Sequence, residues 1–215
     1  MPRPKHIVSS DFPYHVTARC HNQNFFFDLE LEAVWRIMQR HLIELQSEYK
    51  FQIHAFLLMG NHFHLLTTTP DGNLSEGMHY FMSSSSKCIN LMSQKKNQVY
   101  GDRFHRSLIR NDHYLFNVLK YTYRNPVEAG ICNKVEEYRY STLQECLGLK
   151  ESSLNFKNSF IDSLNESPQA ILRWLNTQPR KENTEAISKA LLRANFKLAK
   201  CRTRNMPHPL EHQKY

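Results

Sequence analysis

Residues 51 to 68 read FQIHAFLLM, then Gly60-Asn61, then HFHLLTT. Two apolar runs of strand length flank a pair of residues suited to a two-residue turn, which predicts a β-hairpin. That hairpin constrains the rest of the chain, because two strands alone are only marginally stable and must recruit further elements. The flanking sequence offers them. YHVTARC (14–20) alternates and is rich in Val, Thr and Tyr, so it reads as a strand, and NQNFFFD follows as a turn. From Asp28, a candidate N-cap, to Lys50, apolar residues at 31, 34, 35, 38, 42 and 45 recur at helical spacing. PDGN (70–73) is a loop, and residues 75–95 form a weaker helix that contains Ser83 to Ser86. RFHRSLIR (103–110) alternates as a last strand, and residues 111–125 form a helix ended by Pro126.

The resulting order, strand-helix-strand-strand-helix-strand-helix, predicts an α+β, ferredoxin-like βαββαβ sandwich with an added helix. One sheet face is expected to carry the helices and the other to lie open for a ligand. Residues 1–146 make this unit. Residues 147–215 read as a polar linker followed by two helices, the first opened by Pro168 at a favoured first-turn position. Between Ile187 and Arg204 there are six basic residues and no acidic ones, so a basic terminal helix is expected, as a DNA contact or as a solvated face.

Within the hairpin, His62 and His64 project to one face of their strand and Phe63 and Leu65 to the other. Two imidazoles about 7 Å apart at Cα can converge on one cation, or simply hydrogen-bond on a half-exposed face. Two ligands do not complete a site. The helix at 111–125 offers Tyr121 and Asn125, four residues apart and on nearly the same face, beside a packed stripe of Leu115, Val118, Leu119 and Thr122. An amide oxygen suits Mg2+ or Mn2+, and a phenol can serve as a covalent nucleophile. Metal-polarised phosphate with a tyrosine beside it points to phosphodiester chemistry in which strands can be rejoined. A formal charge of +8 favours nucleic acid as partner. The longest apolar runs are far too short to span a bilayer, the first ten residues lack the apolar segment of a secretory signal, and five scattered cysteines without CxxC spacing read as free thiols. A cytoplasmic protein with no membrane partner is expected.

The segments YHVTARCHNQNFFFD, HAFLLMGNHFHLL, DRFHRSLI and YTYRNPVEAGI, in this order and spacing, resemble the single-tyrosine HUH transposases of the insertion-sequence-200 kind, and among them the REP-associated tyrosine transposases. The resemblance covers residues 8 to 145. It implies that His62 and His64 are the metal-binding pair, that Tyr121 is the nucleophile and that Asn125 helps hold the metal. It further implies cleavage of single-stranded DNA near hairpins, a 5′-phosphotyrosine, a free 3′-hydroxyl, and a requirement for a divalent cation, Mg2+ or Mn2+, in a protein working as a monomer or a homodimer. Gly60 stands where the family commonly has proline, Thr122 where it has isoleucine or valine, and SSSSKCIN where it carries basic and aromatic residues.

Arg19, Arg103, Arg106, Lys120 and Arg124 are candidate DNA-phosphate contacts, and Tyr14, Phe25 and Tyr123 candidate stacking surfaces for bases. His54 and His105 are placed in the core or at the surface. The serine run has no motif around it and is not read as a nucleophile. Two other functions stay open: a nucleic-acid-binding protein on the same fold that does not cut, and a small metal-dependent phosphodiester hydrolase.

Overall fold

The computed structural model describes residues 8–21, 26, 29–157, 159–199 and 208–211. Four strands form one antiparallel sheet: β1 (Tyr14–Arg19), β2 (Gln52–Leu58), β3 (His62–Thr68) and β4 (His105–Leu108), in the spatial order β2-β3-β1-β4. With α1 (Leu31–Ser47) after β1 and α2 (Leu74–Ser93) after β3, this is the expected ferredoxin-like βαββαβ arrangement. The β2–β3 hairpin closes where the Met59 N–H donates to the His62 carbonyl at 2.8 Å, with Gly60-Asn61 between them. Asp28 lies outside the described residues; Glu30 precedes α1 and makes no side-chain cap.

Alternation along the strands sorts their side chains into two cores. On one face Val16, Ala18, Phe63 and Leu65 pack against Val34, Trp35, Met38 and Leu42 of α1 and Met78 and Phe81 of α2. A bulge in the β2–β3 register between Ile53 and Ala55 turns Ile53 into this core and Ala55 into the other. On that second face Ala55 and Leu66 meet Leu115, Val118 and Leu119 of α3 (Asp112–Glu128).

The second face is therefore covered, not open as expected. Ile171 and Leu175 of α5 (Pro168–Asn176), and Ile187 and Leu191 of α6 (Lys181–Leu191), join the same core behind α3, as does Leu143 of the short α4 (Leu143–Cys146). The segment expected to be a loose linker is also packed. Leu154 enters the first core and Ile161 the second, and the Phe160 N–H donates to His54 Nδ1 at 3.2 Å. Its few apolar residues are spaced so that each reaches a different element, a pattern with no period to read. Pro168 opens α5 as expected, with Ser167 as N-cap accepting from the Ala170 N–H.

The third helix departs from expectation in an informative way. It runs through Pro126 to Glu128 instead of stopping at Asn125. Pro126 has no N–H for the carbonyl of Thr122. The Asn125 side chain supplies a substitute, its Nδ2 donating to Thr122 O at 3.2 Å and to Tyr121 O at 2.8 Å. At the other end Asn111 caps the helix, accepting from the His113 N–H at 2.7 Å. The basic terminal helix is shorter than expected. It ends at Leu191, so Arg193 and Lys197 follow in non-helical chain, and Lys200, Arg202 and Arg204 lie outside the described residues. The described cysteines, Cys20, Cys88, Cys132 and Cys146, are free thiols. No described helix is long and apolar enough to cross a membrane.

Candidate active site

Strand alternation and the β1–β3 register put His15, Thr17 and Arg19 on the same face as His62 and His64, with Thr17 opposite His64 and Arg19 opposite His62. The two hairpin histidines meet edge to face, ring centroids 5.0 Å apart. His62 Nδ1 lies 2.7 Å from Asn61 Oδ1, an acceptor, so the proton is on Nδ1 and the lone pair on Nε2. His64 Nδ1 lies 2.9 Å from Nε2 of His15, a residue only 2 % exposed. His64 Nε2 is buried and without a hydrogen-bond partner among the described residues.

Burial drives these imidazoles toward the neutral form. It pushes His62 down to about 4, with the Arg19 guanidinium adding to the effect. His15 is pushed down to about 3 by burial and by His105 and His62, and His64 lies well below its ordinary value for the same reason, with His15, His62 and Arg19 adding to it. Neutral imidazole is the metal-binding form, so at neutral pH no proton has to leave before Nε2 can coordinate.

Helix α3 crosses this face and brings Tyr121 to within 6.3 Å of His64, centroid to centroid. Tyr121 and Asn125 are both half-buried. Because Asn125 spends its amide nitrogen on the two helix carbonyls, Oδ1 is the atom it has left for an ion. Among the described residues no cluster of three His, Cys, Asp or Glu side chains could hold a metal, so a metal here would have to rest on the two imidazoles and the amide oxygen expected from the sequence. The orphaned Nε2 of His64, the Nε2 lone pair that the bond from Nδ1 to Asn61 leaves on His62, and the spare oxygen of Asn125 are donors of a kind that fits a small divalent cation.

The basic candidates divide. Arg19 is exposed beside His62. Arg103 and Arg106 lie away from the histidines, lining a cleft between α2 and β4. Lys120 and Arg124 are not available to DNA, contrary to expectation. Lys120 is 1 % exposed and sits 5.5 Å over the Trp174 ring. Arg124 is 4 % exposed and donates to Glu128 and to the carbonyls of Leu175 and Asn176. Both occupy the α3 face turned toward the C-terminal helices, a face invisible until those helices are placed. Tyr14 and Tyr123 are buried and cannot stack on bases, and Phe25 lies outside the described residues. His54 is buried against Thr68, and His105 lies at the β4 edge, bonded to the Leu192 carbonyl.

Sequence reasoning missed His15. The period of YHVTAR places it opposite Val16 and Ala18, yet only the strand pairing reveals that its face is that of His64.

The model of the family described as "Transposase IS200 like" matches residues 8–125, more than half of the chain. A curated Haemophilus influenzae protein carrying the name REP-associated tyrosine transposase is 29% identical in a 107-residue alignment that covers 45% of this chain and 61% of the relative. The chain thus spans about six tenths of that relative's length. A solved structure of a REP-associated tyrosine transposase bound to a REP hairpin is similar in fold, with a TM-score of 0.55 at 20% identity over 75% of this chain and 96% of the other. With the match running from the first strand to Asn125, and so across His62, His64 and Tyr121, this chain belongs to the IS200-like transposase family.

Proposed function

We propose that the protein is a metal-dependent, tyrosine-dependent single-stranded DNA endonuclease and strand transferase, acting on hairpin-bearing DNA as a transposase of the REP-associated kind. The observation that carries the reading is the buried Nε2 of His64, without a hydrogen-bond partner among the described residues, on a ring that meets Tyr121 edge to face with centroids 6.3 Å apart. His62 and His64 through Nε2, and Asn125 through Oδ1, would hold Mg2+ or Mn2+. When bound, such an ion supplies Lewis-acid polarisation of a non-bridging phosphate oxygen.

The chain's own residues do the rest. The Tyr121 oxygen, having lost its proton, attacks phosphorus. A bond forms between that oxygen and phosphorus, and the bond from phosphorus to the 3′ oxygen breaks. The leaving oxygen takes up a proton as a 3′-hydroxyl, and the 5′ side stays on Tyr121. Because one ester replaces another, the 3′-hydroxyl can attack in reverse and reseal a strand without further energy input. Arg19, exposed beside His62, is placed to meet a phosphate. Both histidines and the tyrosine lie together within one chain, an arrangement that a monomer or a homodimer without helix exchange can use.

The test is incubation with hairpin-bearing single-stranded DNA and Mg2+ or Mn2+, followed by denaturation. Wild type is expected to give a covalent adduct, and Tyr121→Phe none. An undiminished adduct from Tyr121→Phe would overturn the nucleophile. Binding without cleavage would indicate a non-cutting protein, and free ends without adduct a hydrolase.

A further inference from the structure

The serine run that the reaction leaves unused has a structural division of labour. Ser85 is buried, its Oγ 2.9 Å from the hydroxyl of Tyr100. Ser83 and Ser86 instead line a cleft of about 1030 Å³ between α2 and β4, together with His79 and Ser75, one and two turns earlier on the same helix face. Their small side chains are what leave the cleft open: a longer residue at 83 or 86 would project into it. The hydroxyls of Ser83 and Ser86 and the imidazole of His79 make no hydrogen bond among the described residues.

The opposite wall is of a different kind. Phe104 presents a half-buried ring, with the Arg106 guanidinium 5.7 Å from its centroid. Arg106 also donates to Ser75 Oγ at 3.1 Å, which ties the two walls together at one end. Arg103, exposed, has no carboxylate partner among the described residues. Asp102 is the one acidic residue among the described residues that line the cleft. A flat aromatic face, two guanidinium groups and uncommitted hydroxyls within one groove match the chemistry of single-stranded nucleic acid: the ring stacks on a base, the cations meet phosphates, and the hydroxyls meet base edges. Paired bases in a duplex offer no free face to such a ring.

The cleft is also within reach of the reaction centre. Thr17 of β1 lies opposite His64 on one side and opposite His105 on the other, so His105 stands two strands, about 10 Å, from His64. His105 lines the cleft at the edge of the sheet. The outer edge of β4 is itself covered, Leu108 bonding the backbone of Ala194 and Phe196, so Leu192 and Ala194 form part of the cleft wall. We propose that this cleft between α2 and β4 is a subsite for unpaired bases of the DNA strand whose phosphate is cut. It rests on the single-stranded DNA reading above.

The experiment is equilibrium binding of a single-stranded oligodeoxynucleotide carrying 2-aminopurine, without divalent metal, so that it does not depend on cleavage. Wild type is expected to quench the probe by stacking. Ser83→Leu/Ser86→Leu, which fills the groove, and Phe104→Leu, which keeps apolar volume and removes the ring, are each expected to lose the quenching. Each is expected to weaken binding by about tenfold, in the range set by losing one stacked base. Circular dichroism and thermal unfolding confirm that the variants fold, and cross-linking of a 5-iodouracil oligonucleotide to wild type, mapped by mass spectrometry, reports the contact without any variant. Unchanged affinity in both folded variants, cross-links confined to residues outside the cleft, or equal competition by RNA of the same sequence would each overturn the proposal. Absence of a Tyr121 adduct in the cleavage assay would overturn the proposed reaction instead, while the binding result continues to report on the cleft.

Discussion

His15 stands one hydrogen bond behind His64, and the consequence is a question of tautomer. For His64 Nε2 to offer a lone pair, its proton must sit on Nδ1 and donate to His15 Nε2, 2.9 Å away. His15 then carries its own proton on Nδ1, which finds no acceptor among the described residues. A buried donor left unpaired costs about 1–3 kcal/mol, so the arrangement spends stability to orient the ligand. His15→Leu removes the acceptor and is expected to lower Mn2+ affinity by about 10- to 100-fold, the usual loss when the outer partner of a metal-bound histidine is removed. His15→Gln puts an acceptor oxygen near the position of Nε2 and is expected to restore most of it. Calorimetric titration with Mn2+ measures both, and wild-type affinity in the leucine variant would remove the positioning role. At this scale the sequence was legible where chemistry is local. The spacing of His62 and His64 announced a shared face, whereas His15 lies in a different strand and nothing in its own neighbourhood marks it.

Helix α3 has three jobs along one length, and they use different faces. Leu115, Val118 and Leu119 hold it to the sheet, Tyr121 lies beside His64 with Asn125 one turn further on, and Lys120 and Arg124 turn toward α5. The stripe and the Tyr121–Asn125 pair follow from the 3.6-residue period and could be read from sequence. The roles of Lys120 and Arg124 could not, because a helix in isolation gives no sign that a second layer will cover its outer face. Arg124 bonds Glu128 on its own helix and two carbonyls at the end of α5. Arg124→Ala is expected to destabilise the protein by about 2–3 kcal/mol, since hydrogen bonds from a charged donor are lost and buried acceptors are left bare. Urea unfolding measures that loss. The salt dependence of DNA binding is expected to be unchanged, because no phosphate contact is removed; a slope shallower by about one would return Arg124 to the DNA interface. Pro126 marks where single-residue rules fail, since its missing N–H is offset by the side chain of the residue before it.

Across the whole molecule, buried neutral histidines couple stability to pH. Burial pushes His54 down to about 4, and in the fold it accepts from the Phe160 N–H and bonds Thr68, joining the sheet to the C-terminal extension. With folded values of about 4 for His54 and about 3 for His15 against 6.5 for the unfolded chain, the unfolded state binds protons first as pH falls. Stability is therefore complete above about pH 6.5 and falls toward pH 4, by about 1.4 kcal/mol per pH unit for each such group. The urea midpoint is expected to drop between pH 7.5 and pH 5. His54→Asn, which removes one titrating group and keeps an acceptor for Phe160, is expected to flatten that drop; an unchanged slope would assign it to other groups. The same scale decides subunit economy. With His64 and Tyr121 in contact range within one chain, a mixture of His64→Ala and Tyr121→Phe proteins is expected to form no adduct, whereas restored adduct would mean that the tyrosine helix is exchanged between subunits. Sequence alone carried the order of elements, the hairpin and the shared face of His62 and His64, because strand alternation and helical period are local properties of the chain. Tertiary structure decided that the second sheet face is covered, that His15 stands behind His64, that Lys120 and Arg124 serve packing, and that two serines of a featureless run open a cleft. Each of those depends on which distant segment arrives beside a residue, and that follows from pairing register and layer packing, not from any pattern in the residue's own surroundings.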